Sequence, residues 1–142
     1  MNKTLKFLIV PILLIVLFFV FLFTNNSNKK LTFESYENAT SYIEKGWIPN
    51  NIPSDAKNIS ISYDLDNSIS NGEFELSTPQ DANVFVNSLK EENISDINLK
   101  FININFKNKF KELATTLTSK IHVYLDFAFV SNNNKVYFYS KK

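Results

Sequence analysis

The residues that could do chemistry in this chain are few, and the densest group lies around Asp64. Asp64, Asp66, Ser68 and Glu75 stand at the first, third, fifth and twelfth positions of a calcium loop, a spacing that wraps oxygen ligands around a hard cation. The sixth position, which needs Gly for a sharp turn, is Ile69, and the flanks read as strands where a calcium loop has helices. A hairpin with a wet face and a polar turn already accounts for these acids. As a general acid and base they would need burial to separate their pKa values, whereas strict alternation predicts exposure. A second grouping is His122, the sole histidine, with Tyr124 and Asp126 on the same predicted strand face. No Ser sits in a G-x-S-x-G elbow, and two Gly are too few to build an oxyanion site or a phosphate loop. A histidine bonded to a neighbour within a sheet is the simpler reading. Trp47, the only Trp, is either an exposed ring for gripping a partner or the apolar closure of a helix end.

Composition narrows the field further. All 15 basic residues are Lys, so the planar fork that grips phosphate or guanine is missing and nucleic acid is not an expected partner. With no Cys there are no disulfides, thiolate nucleophiles or Cys-held metals. No metal, cofactor or catalytic residue is expected. The net charge of +1 hides an asymmetry, because Lys3, Lys6, Lys29 and Lys30 flank an apolar run and residues 31–142 carry 11 Lys against 14 acids. The folded part is therefore mildly acidic.

Residues 5–23 read LKFLIVPILLIVLFFVFLF. The run from Phe7 to Phe23 would span about 25 Å as a helix, enough to cross the bilayer if Leu5 joins it and Lys6 snorkels outward. A cleaved signal peptide is the competing reading, but Phe21-Leu22-Phe23 offers no small-residue cleavage site. Residues 1–30 are thus expected to be a cytoplasmic stub, a membrane anchor contacting the bilayer through 5–23, and a polar linker TNNSNKK over 24–30. Lysines on both sides leave the orientation finely balanced. A short N-terminus retained inside would place the following domain outside the cytoplasmic membrane.

Residues 31–142 are expected to form one α+β domain, with helices packed on a mostly antiparallel sheet. Ser35 can cap a helix over 36–45 with Tyr36, Ala39 and Ile43 on one face, and Gly46 suits the left-handed position after its end, with Trp47 placed to pack back near Tyr42. Pro53 to Ala56 forms a turn. Ile59, Ile61, Tyr63 and Leu65 alternate with Ser60, Ser62, Asp64 and Asp66, predicting a strand with one wet face and a hairpin through 66–71 to a strand over 72–77. Thr78-Pro79-Gln80-Asp81 reads as a helix start, with Ala82, Phe85, Val86 and Leu89 inward. The alternation in 97–106 predicts a strand with a bulge at Phe101-Ile102, followed by a helix over 108–118. Two aromatic strands, 120–130 and 135–140, close the order α-β-β-α-β-α-β-β. The first should carry Ile121, Val123, Leu125, Phe127 and Phe129 on one face.

Gly46-Trp47-Ile48-Pro49, Ile52-Pro53, Ala56, Ile59, Asp64-Leu65-Asp66 and Phe74 together resemble the signature of the YbbD-like head domain family. The resemblance implies a membrane-anchored bacterial envelope domain with no assigned activity, so it supplies no catalytic residues. A histidine usual in the family before the turn is replaced here by Tyr63. The expected function is a membrane-anchored, extracytoplasmic, non-enzymatic domain that binds a protein partner in the cell envelope, an immunity-type protein being one form. Trp47, Asp64, Asp66 and Glu75 are its expected interaction surface. An envelope module binding a ligand or calcium through those acids, and a hydrolase using His122, are the alternatives.

Overall fold

The computed structural model describes residues 11–17, 28–115 and 120–141. Residues 11–17 form helix α1, and the remainder of the expected anchor lies outside the described residues. Among the described residues no helix is long and apolar enough to cross a membrane. The rest is an α+β fold whose described strands form one seven-stranded antiparallel sheet.

The chain runs β1 (Asn28–Ser35), α2 (Tyr36–Glu44), β2 (Lys57–Asp64), β3 (Ile69–Glu75), α3 (Pro79–Asn87) and β4 (Lys90–Asn93). A short 3-10 turn (Ile94–Asp96), α4 (Ile104–Ala114), β5 (Lys120–Tyr124), β6 (Phe127–Asn132) and β7 (Lys135–Ser140) follow. The strand order is β1-β2-β3-β7-β6-β5-β4. Two meanders, one from each half of the domain, therefore meet along the β3–β7 pairing.

Each face of the sheet buries its own cluster. On one face Ile59, Ile61, Phe74, Phe129 and Phe138 pack beneath Ala39 and Ile43 of α2 and Ala82 and Val86 of α3. The α2–β2 connection joins this core, for Ile48, Pro49, Ile52 and Ala56 are all buried and Ala56 N–H closes the expected turn on Pro53 O at 3.0 Å. On the other face Ile121, Val123, Ala128, Val130, Tyr137 and Tyr139 lie under Phe110 and Leu113 of α4. Helix α3 starts as expected, with Thr78 and Asp81 exchanging side-chain bonds to each other's N–H at 3.1 Å and Pro79 in the first turn. Ser35 precedes α2 without capping its backbone, its hydroxyl donating instead to the side chains of Glu37 and Asn38.

Five expectations are corrected. Residues 28–30 are not linker but the start of β1, whose Lys29 and Lys30 pair with Tyr63 and Ser62 across the edge; polar edge strands carry no alternation to detect. The expected wet face of β2 is partly covered, because β1 and β3 flank the strand and leave Ser62 and Asp64 only 7% exposed. The strand foreseen over 120–130 is two strands, reversing at Leu125-Asp126, so Ile121 and Val123 face α4 while Phe127 and Phe129 face α3. Residues 97–103 are extended chain with a single bridge, Leu99 to Lys141, and their apolar side chains pack under α4 without joining the sheet. Finally α4 begins at Ile104, four residues early, because Asn103 Oδ1 accepts the N–H groups of Asn105 and Phe106. The lysines at 107, 109 and 111 are then interior to the helix, and Leu117, expected on its buried face, lies outside the described residues. The polar strand β4 had no expectation at all.

At the seam, Gly72 pairs with Phe138. A Cβ at residue 72 would intrude on Ser60 O and on the Phe138 ring, both packed against the backbone there. Gly72→Ala is expected to destabilise the domain by about 3 kcal/mol or to prevent folding, measured by urea unfolding. A variant within about 0.5 kcal/mol of the parent would refute this account of the seam.

Candidate functional site

Trp47 owes its position to the end of α2. Gly46 takes φ +77°, its N–H bonds to Ile43 O at 2.9 Å, and Trp47 N–H bonds to Tyr42 O at 3.0 Å, the paired bonds of a Schellman stop. The ring lies against Tyr63 of β2, centroids 5.0 Å apart. Tyr63 in turn meets Tyr42 at 5.9 Å, and Tyr42 meets Phe33 of β1 at 5.2 Å. A row of four rings thus fastens the helix stop to the sheet, and Trp47 is half-buried at its outer end. Burial, and then the adjacent Tyr42 hydroxyl, raises the pKa of Tyr63 above the ordinary tyrosine value.

Asp64 follows directly in β2 and turns its carboxylate onto its own chain. Oδ1 accepts from Asp66 N–H at 2.9 Å and Asn67 N–H at 3.3 Å, while Oδ2 accepts from Asn67 Nδ2 at 2.7 Å. This Asx arrangement shapes residues 65–68, where Ser68 takes φ +52°. Asp66 itself is exposed on the turn. Glu75 is elsewhere: Asp64 pairs with Ile69, and Glu75 lies six residues further along β3, about 20 Å at 3.3 Å per residue. The acids expected at the ends of one calcium loop sit at opposite ends of the hairpin. Among the described residues no group of three or more His, Cys, Asp or Glu side chains is placed to hold a metal.

Glu75 instead accepts from Asn58 Nδ2 at 2.8 Å and lies 3.3 Å from Lys135 Nζ, which also reaches Glu73 at 3.1 Å. Asn58, with φ +49°, occupies the irregular register between Lys57 and Ser60. The Asn58 amide, followed by Lys135, holds the Glu75 carboxyl below the usual range, and Glu73 raises Lys135.

His122 and Asp126 are not brought together. His122 Nδ1 lies 3.5 Å from Leu89 O, whereas Asp126 occupies the β5–β6 turn and lines a cleft of about 220 Å³ with Trp47, Lys45, Ser68 and Lys141. The expected grouping of Trp47, Asp64, Asp66 and Glu75 therefore divides. Trp47 and the Asp64–Ser68 turn share one end of the sheet, joined there by Asp126, and Glu75 belongs to the other. Asp126 was placed near His122 by strand alternation, and a two-residue turn without Gly, Pro or Asn gave no signal that the chain reverses.

Residues 27–75 match the family model of the YbbD head domain. This segment is similar to a YbbD head domain. It carries the Gly46 to Phe74 signature and ends at the last residue of β3. No curated protein and no solved structure matches the chain. The head-domain segment supplies Trp47, its aromatic row and the Asp64 turn, while the β5–β6 turn beside them comes from outside it.

Two measurements test this geometry. Leu125 takes φ +49° although its side chain is 63% exposed, a conformation that suits Asn better than a branched apolar residue. Leu125→Asn should stabilise the domain by about 0.5–1 kcal/mol in denaturant unfolding, and a loss of stability would show that the Leu125 side chain matters more than the backbone. The depressed Glu75 contributes stability above the unfolded carboxylate pKa of about 4.3, lost as pH falls through its folded value. Lys135→Gln should therefore narrow the drop in urea midpoint between about pH 7 and about pH 3.5, only in part because Asn58 remains. An undiminished drop would remove Lys135 from that linkage.

Proposed function

We propose that the chain is a membrane-tethered, non-enzymatic domain of the cell envelope that binds a protein partner through the end of the sheet carrying Trp47 and Asp66. The observation that carries the tether is α1, in which the six consecutive residues from Ile12 to Leu17 are each between 53% and 61% exposed. An uninterrupted apolar surface of that kind is stable in contact with lipid and costly in water. With residues 1–4 on the cytoplasmic side, the folded domain lies on the outer side. The partner reading draws support from the half-buried Trp47 beside an exposed polar turn and Asp126, an apolar anchor with a charged rim. An immunity-type protein that neutralises a toxin at the membrane is one form this would take.

Cell fractionation tests the tether: the full chain should sediment with membranes, its domain should be cut by protease added outside spheroplasts, and removal of residues 1–27 should release it. Recovery of the full chain in the soluble fraction would overturn the tether. For the surface, Asp66→Lys should leave the unfolding midpoint within about 0.5 kcal/mol, since the side chain is exposed, yet weaken capture of the envelope partner about tenfold or more. Equal capture by both proteins would move the interface elsewhere.

A further inference from the structure

We propose that the end of the sheet carrying Trp47 rests on the membrane surface, with Leu65 and Leu125 dipping into the lipid as two apolar tips. This orientation rests on the tether proposed above and goes beyond it, because a tether alone leaves the domain free to face the bilayer in any direction.

The strand register decides which end lies nearest the lipid. Asn28, the first residue of β1, pairs with Asp64, and Asp64 pairs with Ile69 across the turn at 65–68. Through Asn71 opposite Tyr139 and Phe127 opposite Ser140, the β5–β6 turn at Leu125-Asp126 lies at that same end. The chain therefore enters the sheet beside both turns. Only Thr24 to Ser27 separate Asn28 from the apolar run that ends at Phe23, a reach of at most about 17 Å. A sheet end held that close to the hydrocarbon meets the headgroup layer.

The surface there suits that layer. Leu65 is 50% exposed and Leu125 63%, each in a turn next to an Asp. The left-handed backbone at Leu125 prefers Asn, so local folding does not account for an exposed leucine at this position. Trp47 lies between the tips. It shares one cleft with Ser68 of the first turn and Asp126 of the second, and Gly46 shares the adjoining cleft with Leu125. An indole flanked by aliphatic tips has the composition of an interfacial contact, with the ring at headgroup level. Lys29, Lys30 and Lys45 at this end are offset by Glu44, Asp66 and Asp126, so the contact is apolar and a zwitterionic bilayer suffices. A protein partner meeting Trp47 and Asp66 would then approach along the plane of the membrane.

Trp47 is the only tryptophan, so its fluorescence reports this contact without a label. The full chain would be reconstituted in liposomes of plain phosphatidylcholine and of phosphatidylcholine brominated near the top of its acyl chains. The bromolipid should quench Trp47, and equally with or without added phosphatidylglycerol. Leu65→Ser combined with Leu125→Asn should cut that quenching about twofold or more, because the apolar surface transferred into lipid is lost. The urea midpoint of the double variant should not fall, since both side chains are exposed. Protein left behind when the liposomes are floated would overturn the tether and this contact with it. Protein that floats without bromine quenching would overturn this contact alone, and shielding of Trp47 from aqueous iodide would then assign the surface to a second copy or a protein partner. Quenching that survives the double variant, or that requires phosphatidylglycerol, would overturn the apolar tips.

Discussion

The pairing of β3 with β7 is the constraint on which the other packing depends. It joins strands sixty or more residues apart in sequence through a register that places Gly72 opposite Phe138 and Asn71 opposite Tyr139. Gly72 lets the Phe138 ring lie against bare backbone, and Phe138 then meets Phe127 edge-on at 5.7 Å. On the other face Asn71 is wholly buried and fully employed. Its Nδ2 donates to Ser70 O at 2.8 Å and Lys100 O at 2.9 Å, and its Oδ1 accepts from Ile102 N–H at 2.8 Å. One amide thereby satisfies backbone groups that the irregular 97–103 segment cannot pair within a ladder. Lys100 N–H finishes the attachment on Ser140 O at 2.8 Å, so the segment is sewn across the end of the seam.

The seam also explains why the head-domain segment is embedded in a larger fold. Taken by itself, β1-α2-β2-β3 would present the outer edge of β3 and one side of Phe74 to water. Phe74 is instead completely buried, touching Phe85 of α3 at 5.7 Å, and Phe85 continues to Phe129 of β6 at 5.8 Å. The second meander thus supplies the pairing partner, the helix and the rings that the first lacks. Burying an aromatic side chain is worth about 1.5–3 kcal/mol, so a few such contacts contribute more than any surface ion pair in the molecule. The free edges that remain, β1 and β4, carry Lys29, Lys30, Lys90, Glu91 and Glu92, charges that discourage a further strand from adding.

How much was legible in the sequence follows from where local chemistry decided the outcome. The stop at Gly46, the Thr78 capping box and the turn at Pro53 depend on neighbours a few residues apart, and each was readable. The inward alternation of Ile59, Ile61 and Phe74 was readable for the same reason. What escaped was decided at long range. The strand character of Asn28 to Lys30 exists only because β2 offers an edge, and the extended 97–103 segment was mistaken for a strand because its apolar residues are buried by α4 without laddering. Leu125 concealed a reversal, since a branched residue in a left-handed turn contradicts local preference. Among the proposed surface residues, Asp66 could be placed in the hairpin turn from the sequence, whereas Trp47 comes to that end through its long-range contact with Tyr63. That Glu75 is remote from them also follows from the hairpin, once the two strands are counted out residue by residue.

Asp64 shows how a cluster of acids can look like a site while acting as structure. Its oxygens are taken by Asp66 and Asn67, so the turn is fixed and the exposed Asp66 is held at a defined position near Trp47. A carboxylate that gathers backbone N–H groups has less to offer a cation, because an ion would have to displace bonds that shape the loop. Near Trp47 the buried polar atoms of the turn and of the Ser70–Ser140 pair are already satisfied, which suits a surface that meets a partner by shape and rim charge.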